Sequence, residues 1–229
     1  HAFVTHLGKK RTLFNAIVAF NGVLQPLAKQ RRTQPADDLV SVWANADIDG
    51  FTYDSIRLYH EVGLFIAGGA ETTRTAISHG LRTFCDHPDQ WNHLAAHPEA
   101  IPTAVEEVIR WVSPLNNIFR NADADTSLAE ADLAEGDRLI LLYPAANRDP
   151  RVFDDPNRFD TTRSPNPHLG FGQGTHFCIG ANLARYELAI QIEELTTRIT
   201  GLSPVTEPDV EPNIFARAVR SFHLGFTLR

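Results

Sequence analysis

Along the first fifty residues, apolar positions recur at the spacing of an α-helix. The pattern predicts one helix over residues 9–32, with basic residues at its C-terminal end, where they suit the helix dipole. Pro35 then predicts the start of a short amphipathic helix, because proline is tolerated in a first helical turn. Residues 45–50 have the composition of a turn. The apolar positions that define the two helices are Leu13, Ile17, Val18, Phe20, Leu24, Leu27, Leu39, Val42 and Trp43.

Three further helices are predicted in the middle of the chain. The longest covers residues 53–86, with Thr52 as its N-cap and Pro88 after its end. Shorter helices are predicted over residues 88–96 and 101–111 from their apolar spacing. The apolar stripes on these helices are typical of core packing.

Strand patterns follow the helices. Residues 115–120 should be extended, and residues 126–142 have the pattern of a strand hairpin. Its second strand, residues 138–142, alternates poorly between apolar and polar positions, which predicts that both of its faces are covered. Residues 146–168 are rich in proline and asparagine and predict an irregular loop. Residues 218–226 are predicted to form a strand hairpin or a single strand. The chain is therefore expected to be mainly α with small β-sheets (α+β).

Composition places the chain among ordinary globular proteins. It has 229 residues, of which 43% are hydrophobic and 21% charged, and this length suffices to bury a large core. The net charge of -7 argues against general nucleic-acid binding. No apolar run reaches the roughly 18 residues of a membrane span, and no signal peptide is predicted. Two cysteines cannot form a disulfide framework, which predicts the cytoplasm as the compartment.

The most specific stretch is residues 171–180, Phe-Gly-Gln-Gly-Thr-His-Phe-Cys-Ile-Gly. Its glycines let the backbone take positive φ and approach a flat object closely. Cys178 comes just before a predicted helix, where unpaired N–H groups and the helix dipole favour a thiolate. Such a loop suits the binding of a metal from one side. The alternative is a buried structural cysteine, which explains none of the surrounding letters.

The letters Phe, Gly, Gly, His, Cys and Gly at this spacing resemble the haem-ligand loop of the cytochrome P450 family, the haem-thiolate monooxygenases. Their chance occurrence is on the order of 10^-6 for a chain of this length. The resemblance implies that Cys178 is the axial ligand of the iron in heme b (iron protoporphyrin IX). It also implies that His176 reaches a haem propionate and that Phe171 packs near the sulfur. The other loop positions implied to contact the cofactor are Gly172, Gly174 and Gly180.

A pair of glycines, Gly68 and Gly69, lies inside the long predicted helix. Each disfavours a helix interior by about 1 kcal/mol relative to alanine, so the pair indicates that room is needed against the backbone. One interpretation is close packing of small residues against another helix. The stretch also resembles the family's oxygen-binding groove, whose pattern is Gly-Gly-x-acid-Thr. The resemblance implies that the glycines leave space over the haem face, and that Glu71 and Thr72 are catalytic through proton delivery.

Four charged positions match structural or propionate-binding positions of the family. Glu107 and Arg110 lie at i and i+3 on one helix face; a surface ion pair is the alternative. The family's Glu-x-x-Arg pair is closed by a later arginine, and Arg158 matches that position. Arg120 matches a second propionate partner, with an ordinary surface arginine as the alternative.

The resemblance covers nearly the whole chain and implies a cytochrome P450 fold that is truncated on its N-terminal side. Full-length members are nearly twice as long, the sequence begins with His1, and it contains no methionine. Residues 1–229 are therefore expected to be the C-terminal haem-binding part of one domain. Residues 165–168, Pro-Asn-Pro-His, are nearest to bacterial members that oxidise sterols and long lipid chains.

The implied function is a monooxygenase that inserts one atom of O2 into an apolar substrate, such as a sterol or lipid. Because the chain has no flavin or iron–sulfur signature, its electrons are expected from an external partner. The resemblance implies that this partner is a ferredoxin with its ferredoxin reductase. Two alternatives stay open. One is a truncated, non-catalytic or vestigial haem-binding fragment that completes its surface by self-association. The other is a fragment that binds no haem, in which Cys178 has no role.

Overall fold

The structure, a computed structural model, describes residues 2–229, with side chains from residue 11 onward, so His1 lies outside it. About 51% of the chain is helical, and the described strands form two-stranded antiparallel sheets. The helices are α1 (Ala2–Thr33), α2 (Leu39–Asn45), α3 (Ser55–Asp86), α4 (Pro88–Ala96), α5 (Ile101–Val112), α6 (Tyr143–Ala146) and α7 (Ala181–Arg198). The strands are β1 (Asp47–Ile48), β2 (Phe51–Thr52), β3 (Asn117–Asn121), β4 (Thr126–Leu128), β5 (Ala131–Leu133), β6 (Arg138–Leu142), β7 (Ile199–Pro204), β8 (Asp209–Val210), β9 (Val219–Ser221) and β10 (Leu224–Leu228).

The chain divides into two units, His1–Gly68 and Gly69–Arg229. In the first unit, Asp38 explains where α2 begins. Its carboxylate accepts the Ser41 N–H at 2.7 Å and pairs with Arg31 at 2.6 Å. Because this cap satisfies a free amide of the first turn, α2 starts at Leu39, and the prediction of a start at Pro35 was wrong.

The predicted turn at residues 45–50 is a hairpin, β1–β2, whose tip residues Asp49 and Gly50 take positive φ. Thr52 lies in β2 and does not cap α3. The cap is Asp54, which accepts the N–H groups of Ile56 and Arg57 at 3.0 and 2.8 Å. The core of this unit is small and consists of Leu24, Ala28, Leu58 and Val62.

The second unit has the larger core, formed by the C-terminal part of α3 with α4, α5 and α7. α5 contributes most, because it is buried along nearly its whole length. Gly80 permits close approach of α3 to α5, since a Cβ there would lie 2.9 Å from Val108 Cγ1. Among the largest fully buried apolar side chains of this core are Phe84, Leu94, Val105, Val108 and Val112.

Residues 126–142 do not form the predicted hairpin. β4 pairs with β5, while β6 pairs with β3, in the register Phe119 opposite Ile140. The reason is a tighter turn between β4 and β5, where Ala129 takes positive φ. β6 is not covered on both faces, since Ile140 and Leu142 are more than half exposed. Among residues 2–229, no helix combines the length and apolar composition that a membrane span requires.

A buried ion pair joins α5 to the irregular loop that follows α6. Arg110 and Glu107 are both fully buried and form a bidentate pair at 2.7 and 2.8 Å. The predicted closing residue, Arg158, was wrong: its side chain is 63% exposed and lies 3.8 Å from Asp160. Arg163 occupies that role, with its Nε 3.2 Å from Glu107 Oε2 and only 10% of the side chain exposed, although the angle is too poor for a hydrogen bond.

This geometry predicts that Arg163 and Arg158 contribute unequally to stability. Arg163 also donates to the carbonyls of Asp154, Asp155 and Arg158. Arg163→Ala should lower the free energy of unfolding by about 2 kcal/mol, because it leaves part of a buried charge unpaired. The matched control Arg158→Ala should change it by less than about 0.5 kcal/mol. Urea denaturation followed by circular dichroism measures both; equal effects would contradict the assignment.

Candidate haem-thiolate site

The loop before α7 folds back on itself through main-chain hydrogen bonds. The Cys178 N–H donates to the Phe171 carbonyl at 2.9 Å, and the Phe177 N–H donates to Gly174 at 3.0 Å. Gly172 and Gly174 take φ values of 72° and 77°, a region that disfavours other residues. The predicted need for glycine at these two positions is therefore explained by the backbone turn.

The loop is fixed to the end of α5 by a buried asparagine. Asn147 accepts the Leu169 N–H at 2.7 Å and donates to Ser113 Oγ at 2.9 Å. Gly170 lies against α5 so closely that a Cβ there would be 2.5 Å from Ile109 Cγ2. The start of the loop therefore rests on the buried core of the second unit.

Cys178 presents an exposed thiol directly before α7. The cap residue, Gly180, gives α7 no side-chain cap, so amides of the first turn remain available to an anion. A Cβ at Gly180 would lie 4.0 Å from the sulfur, so glycine leaves that side of the thiol open. Within the described residues, Cys178 belongs to no cluster of three His, Cys, Asp or Glu. A single soft thiolate suits an iron that brings its other ligands with it, as in haem.

Large apolar side chains on both chain neighbours of Cys178 are exposed. Ile179 is 88% exposed and Phe177 49%, and Leu183 on α7 is 62% exposed. Exposed apolar side chains next to a thiol suit an apolar macrocycle. The alternative, a structural cysteine, would be buried, and Cys178 is not. Cys85 differs, because it is half-buried on α3 and burial raises the pKa of its thiol.

The two predicted propionate partners, His176 and Arg120, have accessible side chains that can donate hydrogen bonds. His176 is exposed and ends a short 3-10 turn in the loop. Arg120 lies on β3, where its guanidinium donates to the neighbouring Phe119 carbonyl at 2.9 Å. Among the described side chains it pairs with no carboxylate, which leaves its remaining donors for an anion.

The glycine pair lies in an unbroken, exposed stretch of α3. A Cβ at Gly68 or at Gly69 would meet nothing within 4 Å, so the glycines are not required here by close packing against another helix. Glu71 accepts hydrogen bonds from Arg74 at 2.7 and 2.8 Å and from Thr75 Oγ1 at 3.4 Å, all within the same helix. Thr72 is partly buried. The hydrogen bonding of α3 is unbroken at this point, and open space lies beside the two glycines.

A charged cluster beside the loop was missed by sequence reasoning. Glu106 accepts hydrogen bonds from Arg185 at 2.6 and 2.9 Å and contacts His168 Nε2 at 3.0 Å. Burial alone would raise the pKa of Glu106, but the bonds from His168 and Arg185 outweigh it and lower the pKa to about 2. The only sign of this cluster in the sequence was that another acid, Glu106, directly precedes Glu107.

Comparison with known proteins gives consistent matches. A sequence profile of the family described as Cytochrome P450 matches residues 99–200. The chain is 38% identical over 216 residues to a steroid C26-monooxygenase of Mycobacterium tuberculosis, covering 93% of this chain and 58% of that protein. It is 40% identical over 180 residues to the linalool 8-monooxygenase of Pseudomonas putida, covering 79% of this chain and 44% of that protein.

A solved structure agrees with these matches. A Mycobacterium marinum cytochrome P450 in complex with pseudoionone has a TM-score of 0.89 at 38% identity. The match covers 93% of this chain and 52% of that one. The chain therefore spans about half the length of the relatives it matches.

The depressed pKa of Glu106 predicts a specific loss of stability in acid. A carboxylate whose pKa is about 2 when folded and 4.5 ordinarily stabilises the fold above about pH 4.5, and this contribution disappears as the pH falls towards 2. Between about pH 6 and about pH 3, the free energy of unfolding of the parent chain should fall by about 2 kcal/mol more than that of the Glu106→Gln variant. Urea denaturation at several pH values measures this.

The matched control is Glu194→Gln, which removes an exposed ion pair with Arg198 on α7. Exposed pairs contribute little, so this variant should follow the parent's pH curve. Parallel curves for the parent and Glu106→Gln would contradict the prediction.

Proposed function

Because the chain belongs to the cytochrome P450 family, we propose that the Cys178 thiolate would bind the iron of a haem and that the whole protein is a haem-thiolate monooxygenase. Members of this family bind haem, iron protoporphyrin IX, as their cofactor. The match in fold also confirms the predicted class, mainly α with small sheets. The observation that carries the proposal is the exposed Cys178 thiol at a helix start without a side-chain cap.

The residues of the loop have distinct roles in this proposal. Cys178 supplies the thiolate, and the hydrogen bond of its amide to Phe171 fixes the direction in which the sulfur points. Gly180 keeps space beside the sulfur, while Gly172 and Gly174 make the turn. Phe177 and Ile179 exclude water from the apolar face of the cofactor. His176 and Arg120 would hold its propionates as charge-assisted partners.

When bound, haem supplies the redox chemistry that places one atom of O2 in a C–H bond and releases the other as water. The residues of α3 are proposed to provide space and to deliver protons. Gly68 and Gly69 are proposed to leave the space that O2 and substrate require. Thr72 is proposed to hold a proton-carrying hydroxyl there, and Glu71 to supply the proton. Since Glu71 is bonded to Arg74, it must leave that partner to act.

The proposed substrate class is apolar, and a sterol or lipid remains the specific proposal. The names of the relatives refer to a steroid and to linalool, and both are apolar compounds. The motif at residues 165–168 gives less support than its letters indicated. Asn166 donates to Glu107 at 3.1 Å and His168 contacts Glu106, so both side chains are used in packing.

We also propose a ferredoxin and its reductase as electron donors, and the cytoplasm as the compartment, where a thiolate stays reduced. We propose residues 1–229 as the haem-binding part of one P450 domain. The competing proposal is a non-catalytic or vestigial fragment that self-associates. Its support is exposed apolar surface on β6 and around Cys178, at Ile140, Leu142, Phe177 and Ile179.

Thiolate ligation predicts a strongly red-shifted Soret band of the ferrous–CO complex after reconstitution with haem. Cys178→Ser should abolish this band, because the sulfur is lost and an alcohol is a poor ligand for iron. Cys85→Ser should keep it, since Cys85 lies half-buried on α3. Difference spectra of the three proteins measure this. Persistence of the band in Cys178→Ser would overturn the assignment, and an unshifted band in the parent would favour the fragment without thiolate ligation.

The proton-delivery role predicts that Thr72→Ala keeps the shifted band but oxidises an apolar substrate about tenfold or more slowly, which is the lower range of general acid–base effects. Thr73→Ala, the adjacent residue, is the matched control and should retain most activity. Product analysis with a ferredoxin, its reductase and a steroid or a terpene alcohol measures the rates. A parent that shows the band but no turnover would favour the non-catalytic fragment.

A further inference from the structure

Glu106, His168 and Arg185 form a cluster that joins three segments around the cysteine loop. Glu106 lies on α5, His168 lies just before the loop, and Arg185 lies on the second turn of α7, after it. Both carboxylate oxygens of Glu106 are used: Oε1 accepts from Arg185 Nε at 2.6 Å, and Oε2 accepts from Arg185 Nη2 at 2.9 Å. We call these three residues the Glu106 clamp.

The hydrogen bonds of His168 define its state. Its Nδ1 lies 3.1 Å from the Gly170 N–H, which can only donate. Nδ1 is therefore the acceptor, and the proton assigned from this network sits on Nε2, which donates to Glu106 Oε2 at 3.0 Å. A neutral His168 thus ties the backbone of Gly170 to the carboxylate. The contact is a hydrogen bond from a neutral ring.

Arg185 connects the clamp to the cysteine. Its guanidinium carbon lies 4.5 Å from the centre of the Phe171 ring, a distance at which a cation stabilises an aromatic face. The carbonyl of the same Phe171 accepts the Cys178 N–H at 2.9 Å. The pKa of Arg185 is raised mainly by its hydrogen bonds to Glu106. The guanidinium is therefore joined to the cysteine through the Phe171 residue, whose ring it faces and whose carbonyl holds the Cys178 amide.

The clamp differs from an ordinary surface ion pair. Glu106 is about three-quarters buried, and His168 is almost completely buried. Arg198 and Glu194, also on α7, form a comparable pair at 2.7 Å with both side chains mostly exposed. Pairs that are partly removed from water and bound in a bidentate geometry fix their partners more strongly than exposed pairs do. The clamp can therefore position a loop, whereas the exposed pair cannot.

We propose that the Glu106 clamp holds the Cys178 loop in its ligand-presenting shape before any cofactor binds, with Arg185 as a positioning residue that fixes Phe171 and, through its carbonyl, the Cys178 amide. The loop has few other ties on its α7 side. Its glycines favour many backbone conformations in the absence of restraint. Without the clamp, the sulfur would sample several directions. The part that concerns haem rests on the proposed function.

Amide hydrogen exchange in the haem-free chain tests the clamp directly. In Arg185→Lys, the charge remains but the bidentate fork and the flat stacking surface are lost. Exchange of the 171–178 segment should become about tenfold faster in this variant and in Glu106→Gln. Both variants should keep the far-ultraviolet circular dichroism of the parent at neutral pH, which shows that the core is still folded. Glu194→Gln is the matched control and should leave the loop unchanged.

Haem binding supplies the second measurement. Both clamp variants, reconstituted with haem, should lose it to an excess of an apo-globin acceptor about fivefold faster than the parent, because a disordered loop must be ordered on binding. They should also show a smaller share of the red-shifted ferrous–CO band. Glu194→Gln should match the parent in both respects.

The two measurements separate failure of this proposal from failure of the proposed function. If the parent gives no red-shifted band while the clamp variants still loosen the loop, the thiolate assignment fails and the clamp stands. If loop exchange in Arg185→Lys and Glu106→Gln equals that of the parent, the clamp is refuted. If Arg185→Lys behaves as the parent while Glu106→Gln does not, charge alone is sufficient and the positioning role of the Arg185 fork is refuted.

Discussion

The complete burial of the Arg110 guanidinium is the constraint on which the second unit depends. A buried charge is tolerated only if its hydrogen-bonding groups are satisfied. Arg110 has five N–H donors, and it makes two bonds to Glu107 and three to main-chain carbonyls. Those carbonyls belong to Asn147, Pro156 and Arg158. The irregular loop between α6 and α7 must therefore pass over the end of α5 at three points.

This constraint leads directly to the candidate ligand. Asn147, whose carbonyl Arg110 holds, uses its side chain to hold the backbone at Leu169. Glu107 accepts the Asp160 N–H at 2.9 Å and a bond from Asn166. The segment that delivers Cys178 is thus fixed by main-chain and amide contacts to one buried ion pair. These contacts do not involve Gly172, Gly174 or Gly180. The glycines around the cysteine can therefore form the backbone turn and keep space beside the sulfur.

The parts of the fold that could be predicted were those with local causes. The α3 pattern and the prolines after it predicted a helix that ends at Asp86, and the structure ends it there. The pairing of β6 could not be predicted, because a strand's partner depends on turns elsewhere, here the tight turn between β4 and β5. The spacing also could not distinguish Arg163 from Arg158, since both lie in the same irregular loop. Only three-dimensional contact shows which guanidinium faces inward.

The same distinction applies to the site. Cys178 could be proposed from the sequence because the backbone turn around it requires glycines, and glycines at a fixed spacing are visible in the sequence. Glu106 and Arg185 were not found, because a charged pair between α5 and α7 has no local signature. The predicted site residues also differ in what surrounds them. The cysteine side is built from buried polar contacts within residues 69–229, whereas the glycines of α3 lie in an exposed stretch with open space around them. The shape of the cysteine loop therefore requires only contacts within that unit, whereas the proposed oxygen and substrate chemistry would also require an apolar enclosure over the exposed side chains next to Cys178. The proposed cofactor binding and the proposed turnover are for this reason separate hypotheses, each with its own measurement.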